Sequence, residues 1–231
     1  MKIFVTGDTH GDLDLYKLNS KFFSEGKKLT KDDYVIVCGD FACCWDNGEY
    51  DKYIQDWYGS KRWTTLFVDG NHENHDLLDS YPVTEWNGGK VHMISDSIIH
   101  LMRGQVYTIN GKTFFTFGGA QSHDKWHRTE GKSWWAREMP SDEEYEEGLA
   151  NLAKVNNKVD YIITHCGPDY VLNELRDSGK LPIGVVHDKL TNYHQIVSET
   201  VDFKTWFMGH YHQDMDIDNY SLLYDWIEEI D

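Results

Sequence analysis

Five short apolar runs in this chain each end in a side chain able to bind a metal ion, and that repetition constrains the fold most strongly. Lys2-Ile3-Phe4-Val5-Thr6-Gly7 runs into Asp8-Thr9-His10-Gly11, and Tyr34-Val35-Ile36-Val37-Cys38 into Gly39-Asp40. Thr65-Leu66-Phe67-Val68 ends in Asp69-Gly70-Asn71-His72-Glu73. Tyr161-Ile162-Ile163-Thr164 ends in His165, and Thr205-Trp206-Phe207-Met208 in Gly209-His210-Tyr211-His212. Short apolar runs of this kind read as buried strands. Open α/β sheets place their ligands at the carboxyl edges of such strands. A single Asp-x-His at a strand end is an ordinary turn; five such endings in chain order imply one assembled site. Carboxylate oxygen together with imidazole nitrogen suits a divalent transition metal.

The intervening sequence supplies helices and a β-rich middle. Leu15, Leu18 and Phe22 fall at helical spacing, with Glu25-Gly26 as the stop. Tyr50, Tyr53, Ile54 and Trp57 predict a second helix over 49–61 that packs through that stripe. Asn110-Gly111 between two alternating runs predicts a β-hairpin. Ser141 with Glu144 predicts a capping box, opening a helix that buries Tyr145, Leu149, Leu152 and Val155. A last hairpin is expected over 216–223. No internal repeat or flexible linker interrupts the chain, so residues 1–231 read as one domain.

Charge narrows the function classes. Lys and Arg total 22 against 39 Asp and Glu, a net charge of −17. Two bound divalent ions would offset about four of those charges. The remainder repels phosphate backbones, so nucleic-acid binding is not expected. Neither a signal peptide nor an apolar run near 18 residues is present, which predicts a soluble, cytoplasmic protein with no membrane partner. Cys38, Cys43, Cys44 and Cys166 match neither a zinc nor a disulfide spacing and read as reduced thiols.

Taken together, D-x-H, G-D, G-N-H-E, H and G-H-x-H resemble the motif set of the calcineurin-like metallophosphoesterase superfamily, over residues 8–212. The resemblance implies an α/β fold of two mixed β-sheets packed as a sandwich and flanked by helices. It implies a dinuclear centre of Mn²⁺, Fe or Zn²⁺. Asp8, His10, Asp40 and His212 would form one site, and Asp40, Asn71, His165 and His210 the other, with Asp40 bridging. It implies hydrolysis of a phosphate ester by a metal-bridging hydroxide, with His72 serving the leaving group. Protein phosphatases of the superfamily continue the G-D motif with an aspartate and an arginine, where this chain has Cys43 and Cys44. That departure argues against the protein-phosphatase branch and leaves open which acid orients His72, with Asp46 and Glu73 nearest in sequence. His75, His92, His100, His187 and His194 are read as packed or hydrogen-bonded residues.

The segment 119–138 has no clean period and carries three Trp and two of the five arginines. We read it as a loop that supplies substrate contacts through Arg128, Lys125, His127 and Trp126 to a small phosphorylated or nucleotide-type substrate. The alternatives are a phosphodiesterase or nuclease of the same superfamily, or a catalytically weak binding scaffold of this fold. The complete ligand set argues against the scaffold, and the acidity against the nuclease.

Overall fold

Period-two alternation within the apolar runs sets the layers. In a computed structural model that describes residues 1–230, the runs form β1 (Ile3–Thr6), β2 (Tyr34–Cys38), β3 (Thr64–Val68), β9 (Tyr161–Thr164) and β10 (Thr205–Met208). The remaining strands are β4 (Val83–Trp86), β5 (Gly89–Ser95), β6 (Ile98–Leu101), β7 (Gln105–Ile109), β8 (Lys112–Phe117), β11 (Met215–Ile217), β12 (Tyr220–Leu222) and β13 (Ile227–Glu229). They make two mixed sheets, a seven-stranded one in the order β13-β1-β2-β3-β6-β5-β4 and a six-stranded one in the order β11-β12-β10-β9-β8-β7. Ile3, Val5, Ile36, Leu66 and Val68 from the first pack against Phe114, Ile163 and Phe207 from the second. Their neighbours Phe4, Val35, Val37 and Phe67 face outward and meet Leu15, Leu18, Ile54 and Tyr58. On the far side Phe115, Phe117, Ile162 and Trp206 are covered by helical Leu152, Leu172, Leu190 and Val197. Both faces of each central strand are thus buried, which is why the runs are nearly continuous rather than half polar.

The helices are α1 (Glu49–Gly59), α2 (His75–Leu78), α3 (Asp142–Lys154), α4 (Asp169–Asp177) and α5 (Lys189–Thr200). The capping box forms with both bonds, Glu144 N–H to Ser141 Oγ at 3.3 Å and Ser141 N–H to Glu144 Oε2 at 2.8 Å. The Asn110-Gly111 hairpin joins β7 to β8 with both turn residues at positive φ, as a right-twisted two-residue turn requires. The last hairpin is β11–β12. All four cysteines are free and buried. Among the described residues no helix is long and apolar enough to cross a membrane.

Three helical expectations are corrected. The stretch after the first motif forms only a 3₁₀ turn, Leu15–Leu18, and a second one at Glu25–Lys27. Asn19 interrupts it by accepting the Lys21 N–H on its side chain, and Phe22 is left exposed. In α1 the buried stripe is Asp51, Ile54 and Tyr58, while Tyr50 and Tyr53 face out. Asp51 turns inward because its carboxylate collects the backbone N–H groups of Trp45, Asp46 and Asn47. In α3 the inward face is Tyr145, Gly148 and Leu152, and Leu149 is 40% exposed.

These placements predict unequal costs of truncation. Ile36→Ala, between the sheets, should lower unfolding free energy by about 2–5 kcal/mol. Leu149→Ala should change it by about 0.5 kcal/mol or less. Denaturant midpoints at unchanged slope measure both.

Candidate active site

Strands β1, β2 and β3 run parallel in one sheet and β8, β9 and β10 in the other. Their carboxyl ends meet, so Asp8, Asp40 and Asn71 from the first sheet face His165, His210 and His212 from the second. Oxygen and nitrogen atoms of Asp8, His10 and His212 lie within 4.8 Å of one another, and so do those of Asp8, Asp40 and His165. His212 Nε2 is 3.1 Å from Asp8 Oδ2, and His10 Nε2 is 3.3 Å from Asp40 Oδ2. His165 Nε2 is 3.3 Å from Asp40 Oδ1 and 3.2 Å from Asn71 Oδ1. The His210 ring lies 4.9 Å from that of His165, and its backbone N–H donates to Asp8 Oδ1 at 3.0 Å.

The backbone is shaped to make these approaches possible. His10, Asp40, His210 and His212 all sit at positive φ, between 44° and 67°. Each such residue costs roughly 1–3 kcal/mol, strain that clusters at functional sites. A Cβ on Gly209 would overlap Asp8 Oδ1, and one on Gly39, at φ 93°, would overlap the His165 ring. Buried Lys17 donates to the Asp8 carbonyl at 2.5 Å and also holds the carbonyls of Gly7 and Tyr224. Buried Glu73 accepts the N–H groups of Phe41 at 2.7 Å and Ala42 at 3.0 Å, fixing the chain just beyond Asp40.

Partners behind the cluster aim its donor atoms. His165 Nδ1 lies 2.7 Å from the Cys38 carbonyl, so it carries the proton and leaves Nε2 free to ligate. His10 Nδ1 lies 2.7 Å from Asp14 Oδ2 with the same result. Asn71 donates through Nδ2 to Ser122 Oγ at 3.2 Å, and Ser122 donates to Glu138 Oε2 at 2.7 Å, which turns the Asn71 oxygen toward His165. Burial alone would push His165 and His10 down, but Asp40 and Asp8 carry them up to about 10 and about 9. The two carboxylates therefore demand positive charge at this place. Burial, with His165 adding to it, depresses His210 to about 3 and keeps its imidazole neutral. Two buried carboxylates, an amide oxygen and four imidazoles with free nitrogens form a donor set that fits divalent transition metals.

His72 lies beside the cluster, its backbone N–H donating to Asp40 Oδ1 at 2.7 Å. Neither Asp46 nor Glu73 touches its ring. Arg128 does, with its two terminal nitrogens each 3.2 Å from a ring nitrogen. Arg128 is in turn held by Asp124 Oδ2 at 2.8 Å. Burial lowers the His72 pKa, Asp40 opposes that, and Arg128 adds to the lowering. Cys43 and Cys44 are buried in the adjoining core. The guanidinium beside His72 thus comes from a loop 56 residues away.

The rest of the 119–138 segment is placed differently from the expectation. Lys125 pairs with buried Glu138 at 2.7 Å. Trp126 is 78% exposed, with His127 against it. Trp135 is buried, donating to Asp76 Oδ2 at 2.9 Å. The segment residue that lines the cleft over the cluster is His123, and Lys180 from the loop after α4 lines it too. Sequence reasoning missed Lys17, Asp14, Ser122, Glu138 and Lys180. It also missed Asp69, a buried carboxylate bound by Arg103 Nε at 2.9 Å and His100 Nε2 at 3.2 Å.

The calcineurin-like phosphoesterase family model matches residues 1–214, and the chain belongs to that family. The chain is 31% identical over 118 residues to lariat debranching enzyme A of Xenopus laevis, which covers 45% of this chain and 22% of that protein. It is 32% identical over 101 residues to lariat debranching enzyme of Danio rerio, covering 37% of this chain and 17% of that protein. The matched stretch therefore spans about a fifth of each relative.

If Ser122 and Glu138 aim the Asn71 oxygen, Ser122→Ala should weaken divalent-metal binding by about 10–100-fold, the usual cost of losing such a partner. Calorimetric titration of metal-free protein with Mn²⁺ reads the change. Unaltered affinity would mean that Asn71 is oriented without them.

Proposed function

We propose that residues 1–231 form one domain that hydrolyses a phosphate ester with two divalent metal ions. The observation that carries this reading is the convergence of two buried carboxylates, an amide oxygen and four imidazoles where the carboxyl edges of both sheets meet. Asp8, His10, Asp40 and His212 would hold one ion, and Asp40, Asn71, His165 and His210 the other. When bound, the ions would supply the attacking oxygen and offset the phosphoryl charge. His72 serves the departing oxygen as proton donor or hydrogen-bond donor. Arg128 steadies the His72 ring and offers N–H groups to a phosphoryl oxygen. The metal is Mn²⁺, Fe or Zn²⁺. The two relatives are named for debranching lariats, but the chain matches only a fifth of them, and a net charge of −17 disfavours a long nucleic acid. A small ester is the better substrate.

Asp40→Asn should lose metal and nearly all turnover. His72→Ala should retain close to two ions per chain and lose about 10²–10⁴-fold in kcat. That loss should be smaller for a nitrophenyl ester than for an alkyl ester, because nitrophenolate departs without a proton. Elemental analysis beside kinetics separates the roles; loss of metal from His72→Ala would remove it from leaving-group duty. At most one bound ion in saturated wild-type protein would sink the dinuclear centre.

Arg128→Ala should raise KM for the best substrate with metal content unchanged, since a lost phosphoryl contact is lost binding. Steady-state kinetics in excess Mn²⁺ decide it, and an unchanged KM would leave Arg128 only its contact with His72.

A further inference from the structure

Two cavities of different chemistry meet at the candidate site. The first, about 310 Å³, opens over Asp40, Asn71 and His210 and carries His123 and Lys180 at its rim. Lys180 has no carboxylate partner among the described residues; its ammonium lies 3.8 Å from Met215 Sδ. The second, about 340 Å³, is lined by His10, Leu13, Ala42, Trp45, Tyr50 and His72. His72 belongs to both, and the candidate ligands Asp40, Asn71, His210 and His212 line the first, so the first is the cavity of the cluster itself.

We propose that the second cavity is a subsite for a flat aromatic group, such as a nucleobase, carried on an ester oxygen of a small phosphate ester. The proposal rests on the phosphoester-hydrolase reading and specifies its substrate. A phosphorus over the ligands of the first cavity and beside His72 would have its organic substituent enter the second. The reaction adds water to phosphorus and breaks one P–O ester bond, and the alcohol leaves with a proton.

The aromatic cavity is built, not incidental. The Tyr50 hydroxyl donates to Asp12 Oδ1 at 2.9 Å and accepts the Asp12 N–H at 3.2 Å, which fixes the ring. This contact explains why Tyr50 leaves the buried stripe of α1. Trp45 stands edge-on to Trp135 at 5.3 Å, and Trp135 is itself anchored to Asp76. Ala42 sits at φ 52° with its N–H held by Glu73, so its backbone is fixed in the lining. Leu13 is 74% exposed at the rim, an apolar side chain with no place in the core. The lining has no Lys or Arg, so the subsite selects a ring and leaves the phosphate to the cluster beside it.

The test compares two ligands that differ only in the base. Protein spanning residues 1–231, with Mn²⁺, is titrated calorimetrically with a nucleoside 5′-monophosphate and with ribose 5-phosphate. Wild-type protein should bind the nucleotide about tenfold or more tightly, as for a base stacked on an aromatic side chain. Trp45→Ala and the surface change Leu13→Arg should each erase most of that difference. Equal affinity in wild-type protein, or a difference that both variants keep, overturns the subsite. In parallel, Trp45→Ala should lower kcat/KM more for a nucleoside 5′-monophosphate than for ribose 5-phosphate. Turnover without a base preference removes the subsite and leaves the hydrolase. A base preference without turnover of any ester removes the hydrolase and leaves the subsite.

Discussion

Two carboxylates, Asp8 and Asp40, are buried side by side where the sheets meet, and the surrounding structure answers to their charge. Removing an anion from water is costly unless compensating charge or hydrogen bonds replace the solvent. Asp8 receives the His210 N–H and Asp40 the His72 N–H, yet neither touches Lys or Arg through its side chain. What faces them is imidazole, and the carboxylates hold His10 and His165 well above their ordinary pKa. A cluster of this composition accepts protons when empty and cations when loaded. Metal binding would therefore release protons, as it does wherever the ligands must be deprotonated.

That cluster is bought with backbone strain. Four of the seven candidate ligands, His10, Asp40, His210 and His212, and nearby Ala42 adopt left-handed φ without being glycine. Such conformations persist where surrounding contacts over-determine them. Here Lys17 grips the first loop, Glu73 the second, and the Gly39 and Gly209 hydrogens leave the space that side chains would fill. The rigid core between the sheets sets the separation of the strand ends, and these local clamps set the last ångström.

The strand-end motifs, the Asn110-Gly111 hairpin and the Ser141 capping box were legible because each is a short pattern with one physical meaning. The seven candidate ligands announced themselves the same way, and the structure brings them to one place. Less was legible where contact depends on distance along the chain. Ser122 and Glu138 reach Asn71 only through the packing of the 119–138 segment, and Arg128 reaches His72 across 56 residues. Helical periodicity misled at Tyr50 and Leu149 because an inward polar residue, Asp51, and a small one, Gly148, took the buried positions. A hydrophobic count cannot register a carboxylate that is buried to satisfy backbone N–H groups.

The placement of cations follows from the same electrostatics. Lys17, Arg103 and Lys125 are committed to carbonyls or carboxylates, so they do not offer free charge to a substrate. Arg128 stands against His72, and Lys180 at the rim has no anionic partner among the described residues. On the reading proposed above, an anionic ester approaching a protein of net charge −17 would meet these two cations over the ligand cluster. Long polyanions would have to lie across the acidic surface beyond it, whereas a compact ester need not. On that reading, the acidity outside and the two cations beside the cluster would favour a compact ester over a long polyanion.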